Sequence, residues 1–418
     1  NYSRVLASWG YNVVHHYEND ESGRLRQLLD MRAGTTTNVV RDTALNRTAY
    51  VLPSGDSIIH GATETRYTDL SASGALSRYY RYDEAQRLLQ RGPTALTNSG
   101  YSYDTRWQLA GELTNQDGNV VAQRQFTWDG AGNPTHAGAS VTSGNRLEGF
   151  DGYTLTYDDD GNLLRKYKPA AGIDWSYEWN SLGQLVAAGG TSDGALTGWN
   201  TISYGYDGSG RRVRKTVNGV TTRYLYDGQH VVAETDGAGN VTREFTWYEG
   251  VDRPHSMRVG GQTYYYVSDH QGNVTGLVNA AGTLVNRYEY TPFGAAAVAS
   301  EGVANPVRFA GGRYDAETGL YFNRTRYYDP ALQRFTSEDP LGLGGGMNVY
   351  AYAGNNPVGL RDPAGMTPCE PPLFLVNGRC IALIFVLPPV SSAGGSGMDS
   401  DWFRRLYAYR DHDINLDD

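Results

Sequence analysis

Lysine is nearly missing from this chain. It occurs three times, at Lys166, Lys168 and Lys215, among 36 cations in 418 residues. The scarcity reads mainly as codon bias, with a secondary gain in bidentate pairing by arginine. Acidic residues number 45 and the net charge is −9. That excludes a nucleic-acid-coating surface, which would be basic. Cysteine is scarcer still: only Cys369 and Cys380, both near the end, which leaves either one disulfide or two free thiols there. No apolar run approaches the roughly 18 residues of a membrane-crossing helix, and the run Ile381 to Leu387 is short. No long 3.6-residue periodicity precedes residue 399. A Walker loop, a nucleophile-elbow serine and metal-ligand spacing among His15, His16, His230, His255 and His270 are all lacking. No metal and no cofactor is therefore expected. The chain starts at Asn1 without a legible targeting segment and reads as a fragment or a processed product.

What the chain has in excess is glycine, 52 residues, and tyrosine, 32. Tyrosine suits strands and glycine suits tight turns, so many short strands are expected. A unit recurs along the chain: two aromatics separated by one residue, then Asp or Asn, then a glycine-containing turn. Copies begin at Tyr80, Tyr101, Phe126, Leu155 (leucine replacing the first aromatic), Tyr177, Tyr204, Tyr224, Phe245 and Tyr288. A spacing of roughly 20 to 30 residues marks a repeat architecture. Residues at i and i+2 share one face of a strand. The turns Asp158–Asn162, Asp207–Gly210, Asp236–Asn240 and His270–Asn273 supply corners that tolerate positive φ. Return strands such as 211–217 alternate, with one apolar face and one carrying Arg, Lys and Thr. The reading is an all-β chain of antiparallel hairpins.

The last third carries two Asp-Pro-x-Gly units, at Asp339 and Asp362, with Arg326 upstream. Pro340 and Pro363 fix φ, and Gly342 and Gly365 permit tight corners, so each turn holds its aspartate rigidly. Two carboxylates at close range split their pKa values: one activates water while the other, protonated, polarises a carbonyl. An arginine beside them keeps one ionised or holds the site's shape. The glycine-rich stretch 342–346 reads as slack between the aspartates. Asp-Pro-x-Gly is also an ordinary turn, and Tyr327, Tyr328 and Tyr350 read as sheet packing. Beyond residue 366 the composition changes. A proline-rich start, a Ser/Gly linker over 391–397, a short helix near 401–410 and a solvated acidic end containing Asp411, His412 and Asp413 are expected. The remaining 52 residues are fewer than most autonomous enzymes need.

The tyrosine–aspartate repeat and this terminal run together resemble the RHS/YD-repeat family, over roughly residues 75–366. The resemblance implies a long antiparallel sheet coiling into a shell over residues 1–310, an associated core domain over 311–366 and a variable segment over 367–418. It implies that Arg326, Asp339 and Asp362 are the family's essential residues. It further implies an aspartyl-protease-like cut after Met366, the bond being Met366–Thr367. Members are secreted or cell-surface bacterial toxins that hold their own C-terminal segment inside the shell, with delivery-system or immunity-protein partners. The competing reading is a non-cleaving structural or adhesive scaffold. A carbohydrate hydrolase would need a carboxylate pair around a sugar cleft, for which the sequence gives no argument.

Overall fold

The computed structural model describes residues 80–366 apart from a few positions, plus the backbone course of strands between Tyr2 and Tyr79 and of Phe374–Val376 and Arg379–Ile381. Four antiparallel sheets follow one another among the described residues: 12 strands from Tyr2 to Gln125, 16 from Ser140 to Glu301, four from Arg313 to Phe335 and the pair Phe374–Val376 and Arg379–Ile381. Within each sheet every strand pairs with its neighbours in sequence, without a crossover. The expected all-β chain of hairpins is what forms. The strands before Tyr80 extend it beyond the repeats legible in the sequence. The helix expected near 401–410, Cys369 and the side chain of Cys380 lie outside the described residues.

Many of the hairpins are closed by the aspartate of their repeat, and the Tyr177 unit by Asn180 in its place. At Asp158 the backbone amide donates to the Asn162 carbonyl at 3.0 Å and the Gly161 amide returns to the Asp158 carbonyl at 3.1 Å. The carboxylate accepts the Asn162 amide on Oδ1 at 2.7 Å and the Asn162 side chain on Oδ2 at 2.9 Å. The same closure recurs at Asp129, Asp236 and Asp269 with Asn four residues on, and at Asp83 and Asp207 with Arg there. Gly161, at φ +81°, shows why glycine precedes that fourth residue: few side chains tolerate this region.

The second aromatic of each repeat joins neighbouring hairpins. Its N–H or O–H donates to a carbonyl at the start of the preceding return strand. Tyr103 reaches Leu88 at 2.7 Å, Trp179 reaches Leu163 at 2.8 Å, Tyr206 reaches Leu185 at 2.7 Å and Tyr290 reaches Val274 at 2.8 Å. The ladder slips by one residue beside this aromatic in unit after unit. Such bulges increase twist and re-aim the side chain. The first aromatic faces inward: Tyr80, Phe245 and Tyr288 are fully buried.

The terminal segment shares its core with the second sheet. Strand Leu320–Asn323 alternates. Leu320 and Phe322 join a cluster with Leu147, Trp175 and Tyr204, while Tyr321 joins one with Phe245, Phe309 and Tyr352. Tyr327 and Tyr328 are buried on strand Arg326–Asp329, whereas Tyr350 is buried in a turn, its hydroxyl donating to the Gly161 carbonyl at 2.7 Å. The cations of strand Arg212–Val217 do not all face solvent: Arg214 is exposed, but Arg212 is buried and Lys215 partly so. Arg212 is buried against the rings of Tyr204, Tyr224 and Phe322 and pairs with Asp315 at 2.5 Å; Lys215 reaches the same carboxylate at 3.2 Å. Burial opposes ionisation of Asp315, but Arg212 and Lys215 outweigh it and hold its pKa at about 2.

Breaking a buried pair by removing one partner costs roughly 3–5 kcal/mol, so Asp315→Asn is expected to lower urea stability by about that much at pH 7. A folded-state pKa below the unfolded value stabilises above the unfolded pKa and ceases to do so as pH falls through the folded one. The gap between wild type and Asp315→Asn should therefore shrink by roughly 2 kcal/mol between pH 5 and pH 2. An unchanged gap would show that the ion pair adds nothing.

Candidate self-cleavage site

The site is built on the tight hairpin between strands Leu320–Asn323 and Arg326–Asp329. Asn323 pairs with Arg326, and Arg324 takes φ +60° at the corner. Arg326 is only 2% exposed, with its guanidinium 3.6 Å from the centre of the Phe335 ring. Nη1 donates to the Val349 carbonyl at 2.8 Å. Nη2 donates to Asp339 Oδ2 at 2.7 Å and lies 3.6 Å from Asp362 Oδ2. Nε donates to the Gly365 carbonyl. Burial pulls the arginine's pKa down to about 10, although both aspartates favour its charge. The structure thus brings together Arg326, Asp339 and Asp362, which are 36 residues apart at their extremes.

The two Asp-Pro-x-Gly units are turns, but their carboxylates are held differently. Asp339 Oδ1 accepts the Leu341 amide at 2.8 Å while the Gly342 amide closes on the Asp339 carbonyl at 2.8 Å. Asp362 Oδ1 accepts the Met366 amide at 3.0 Å, and the Gly365 amide faces the Asp362 carbonyl at 3.4 Å. Gly342 and Gly365 have φ +55° and +69°, and Pro340 and Pro363 occupy the position after each aspartate. Asp339 is 8% exposed and Asp362 2%. Burial raises the pKa of Asp339 against the opposing pull of Arg326 and the Leu341 amide.

Met366 ends the described part of this segment, and Thr367 lies outside the described residues. Gly345 is the residue whose part the sequence reading missed. A Cβ built there would stand 2.5 Å from Asp339 Oδ2 and 3.1 Å from the Met366 carbonyl oxygen. The glycine-rich stretch therefore admits the Met366 carbonyl beside Asp339, a closer task than giving slack. Asn323, Arg324 and Thr325 were also missed; their only sequence signal is adjacency to Arg326. Among the described residues no cluster of three or more His, Cys, Asp or Glu side chains could hold a metal ion, and no helix is long and apolar enough to cross a membrane. The groups present suit acid–base attack on a peptide carbonyl: two buried carboxylates with different environments, one cation and an adjacent backbone carbonyl.

Three likenesses bear on these features. The tRNA nuclease WapA of Bacillus subtilis is 33% identical over 272 residues, covering 60% of this chain and 11% of that protein. The double-stranded DNA deaminase toxin A of Burkholderia cenocepacia is 28% identical over 367 residues, covering 77% of this chain and 25% of that one. The chain thus spans a quarter or less of the length of these relatives. A solved structure of the Photorhabdus luminescens Tc holotoxin pore superposes with a TM-score of 0.52 at 20% identity, over 88% of this chain and 22% of that one. That likeness shows a shared fold. The family model described as the teneurin YD-shell matches residues 13–358, most of the sheets and of the terminal segment, and the chain belongs to that family.

Proposed function

We propose that this chain is the self-cleaving end of a bacterial toxin shell: it hydrolyses its own Met366–Thr367 bond and keeps the released segment inside. The observation that carries the reading is Arg326. One buried guanidinium contacts both aspartates and the carbonyl that precedes Met366. A solitary structural turn has no use for such an arrangement.

In this reading Asp339, whose pKa burial raises, is the acid, and its proton goes to the Met366 carbonyl oxygen as that oxygen gains charge. Asp362 is the base and takes a proton from water. The water oxygen bonds to the Met366 carbonyl carbon. The carbon–nitrogen bond then breaks, the proton held by Asp362 passes to the Thr367 nitrogen, the proton lent by Asp339 returns to Asp339 from the former carbonyl oxygen, and Met366 is left with a carboxyl group. Arg326 balances the negative charge carried through these steps, in a dry site where such stabilisation is strong. The toxin names of the relatives belong to much longer proteins. The role extended to this chain is that of their shell, in a secreted or cell-surface effector. Delivery-system and immunity-protein partners would act on the assembled whole.

Expressed and run denatured, the chain should give two fragments meeting between residues 366 and 367, and the intact mass of the small one should fix Thr367 as its first residue. Asp339→Asn and Asp362→Asn should leave a single full-length band. A full-length wild-type band would instead mean that the aspartates are structural turns of a non-cleaving scaffold.

Gly345→Ala should slow cleavage at least tenfold, because the new methyl group meets Asp339 and the Met366 carbonyl; normal cleavage in this variant would separate that carbonyl from the chemistry. The acid form of Asp339 is needed, and a raised pKa extends it upward from the usual range. Cleavage during a cell-free pulse and chase should therefore slow with rising pH, about tenfold per unit once above that pKa. A rate that climbs with pH would reverse the acid assignment.

A further inference from the structure

Four consecutive residues of the Arg326 hairpin take, in order, the four backbone carbonyls that precede Met366. Asn323 Nδ2 donates to Asp362 O at 2.9 Å. Arg324 Nη1 donates to Pro363 O at 2.5 Å. Thr325 Oγ1 shares its one proton between Ala364 O at 2.6 Å and Gly365 O at 3.0 Å, and its amide adds Ala364 O at 3.2 Å. Arg326 Nε completes the set at Gly365 O. The hairpin is itself anchored to the second sheet, since Arg324 forms a two-pronged pair with Asp252 at 2.6 and 2.8 Å. Each acceptor within residues 362–365 is a main-chain oxygen. The one demand on side-chain identity is at Gly365, where a Cβ would stand 2.8 Å from the Asn323 carbonyl and 3.0 Å from Thr325 Oγ1.

We propose that Asn323–Arg326 is a backbone clamp that selects the cut bond by position, and that holds the cut end in the site afterwards. The proposal rests on the self-cleavage reading above. A clamp that counts carbonyls fixes the residue after the fourth one beside Asp339 and Gly345, whatever its side chain. Met366 is cut because of where it stands. All the clamp's bonds lie upstream of the scissile carbonyl, so hydrolysis breaks none of them. The new Met366 carboxylate then fills the place a second substrate would need. The site takes one substrate class, its own chain, and works once. The clamp residues position the reacting carbonyl and take no part in proton transfer.

The sharpest test inserts one alanine between Gly365 and Met366. Positional selection puts the cut after the inserted alanine, so the small fragment starts with Met366 and its mass rises by one methionine. A cut still made after Met366 overturns the clamp. In cell-free pulse–chase, Thr325→Val should slow cleavage about tenfold, as expected for losing one well-aligned hydroxyl donor, while Thr325→Ser should stay within about twofold of wild type. Equal rates for valine and wild type also overturn it. Should either variant fail to fold, the cleaved wild-type shell decides. Carboxypeptidase should remove nothing upstream of Met366 from the folded shell, and rapid loss of residues 362–365 would refute retention. A wild-type chain that is never cut would sink the self-cleavage reading itself, an outcome distinct from all of these.

Discussion

A carboxylate that accepts the amides of its own turn is the constraint from which the rest of the structure follows. Short strands joined by glycine corners do not hold register unaided, because a one-residue slip exposes every inward side chain. Asp158, Asp236 and Asp269 fix both ends of the corner with one side chain, accepting a backbone amide and an Asn side chain four residues on. That closure sets the bulge beside the second aromatic, and the bulge brings its N–H or O–H to the preceding return strand. The sheets grow by repeating one local decision. The long-range contacts, such as Tyr204 against Tyr327, come after it.

Much of this was legible in the sequence because the repeat is local. The aromatic pair, the aspartate and the glycine all lie within about ten residues, and each has a backbone reason for its place. Less legible was anything set by two distant elements. The strand beginning at Arg212 read as having a polar face. Its arginine is buried because Asp315 and four aromatic rings, two of them over a hundred residues away, meet it there. Strands before Tyr80 carry no clean aromatic-x-aromatic-Asp units, so the repeat rule did not reach them. At the site, Arg326, Asp339 and Asp362 stood out through their turns and their family resemblance. Gly345 did not, since a glycine run gives no hint of which member approaches a carbonyl closely.

Two buried arginines show how setting decides chemistry. Arg212 is matched by a fully committed aspartate and a lysine that shares it, so the cluster is a static brace whose carboxylate stays ionised down to about pH 2. Arg326 is divided among two carboxylates, two carbonyls and a ring. Burial wins over its partners, lowering the arginine's pKa and raising that of Asp339. Charges that are incompletely compensated in a dry place are the ones whose protons can move.

The site's aspartates resemble repeat-turn aspartates that lack the side-chain donor at the fourth residue on, and Asp339 takes the Leu341 amide in place of the fourth residue's. In the closing turns the second carboxylate oxygen is claimed by an Asn or Arg side chain at the fourth residue on, as Asn162 does for Asp158 and Arg211 for Asp207. Four residues after Asp339 stands Leu343, and four after Asp362 stands Met366; neither side chain can donate. The second oxygen of each is turned to Arg326 instead. An apolar residue at the proposed cut position thus has a physical reason apart from its own recognition. An Asn or Arg at 366 would close the Asp362 turn in the manner of the repeats and withdraw that carboxylate from Arg326. The same local rule that builds the sheet, broken twice within one segment, assembles two aspartates around a single buried cation.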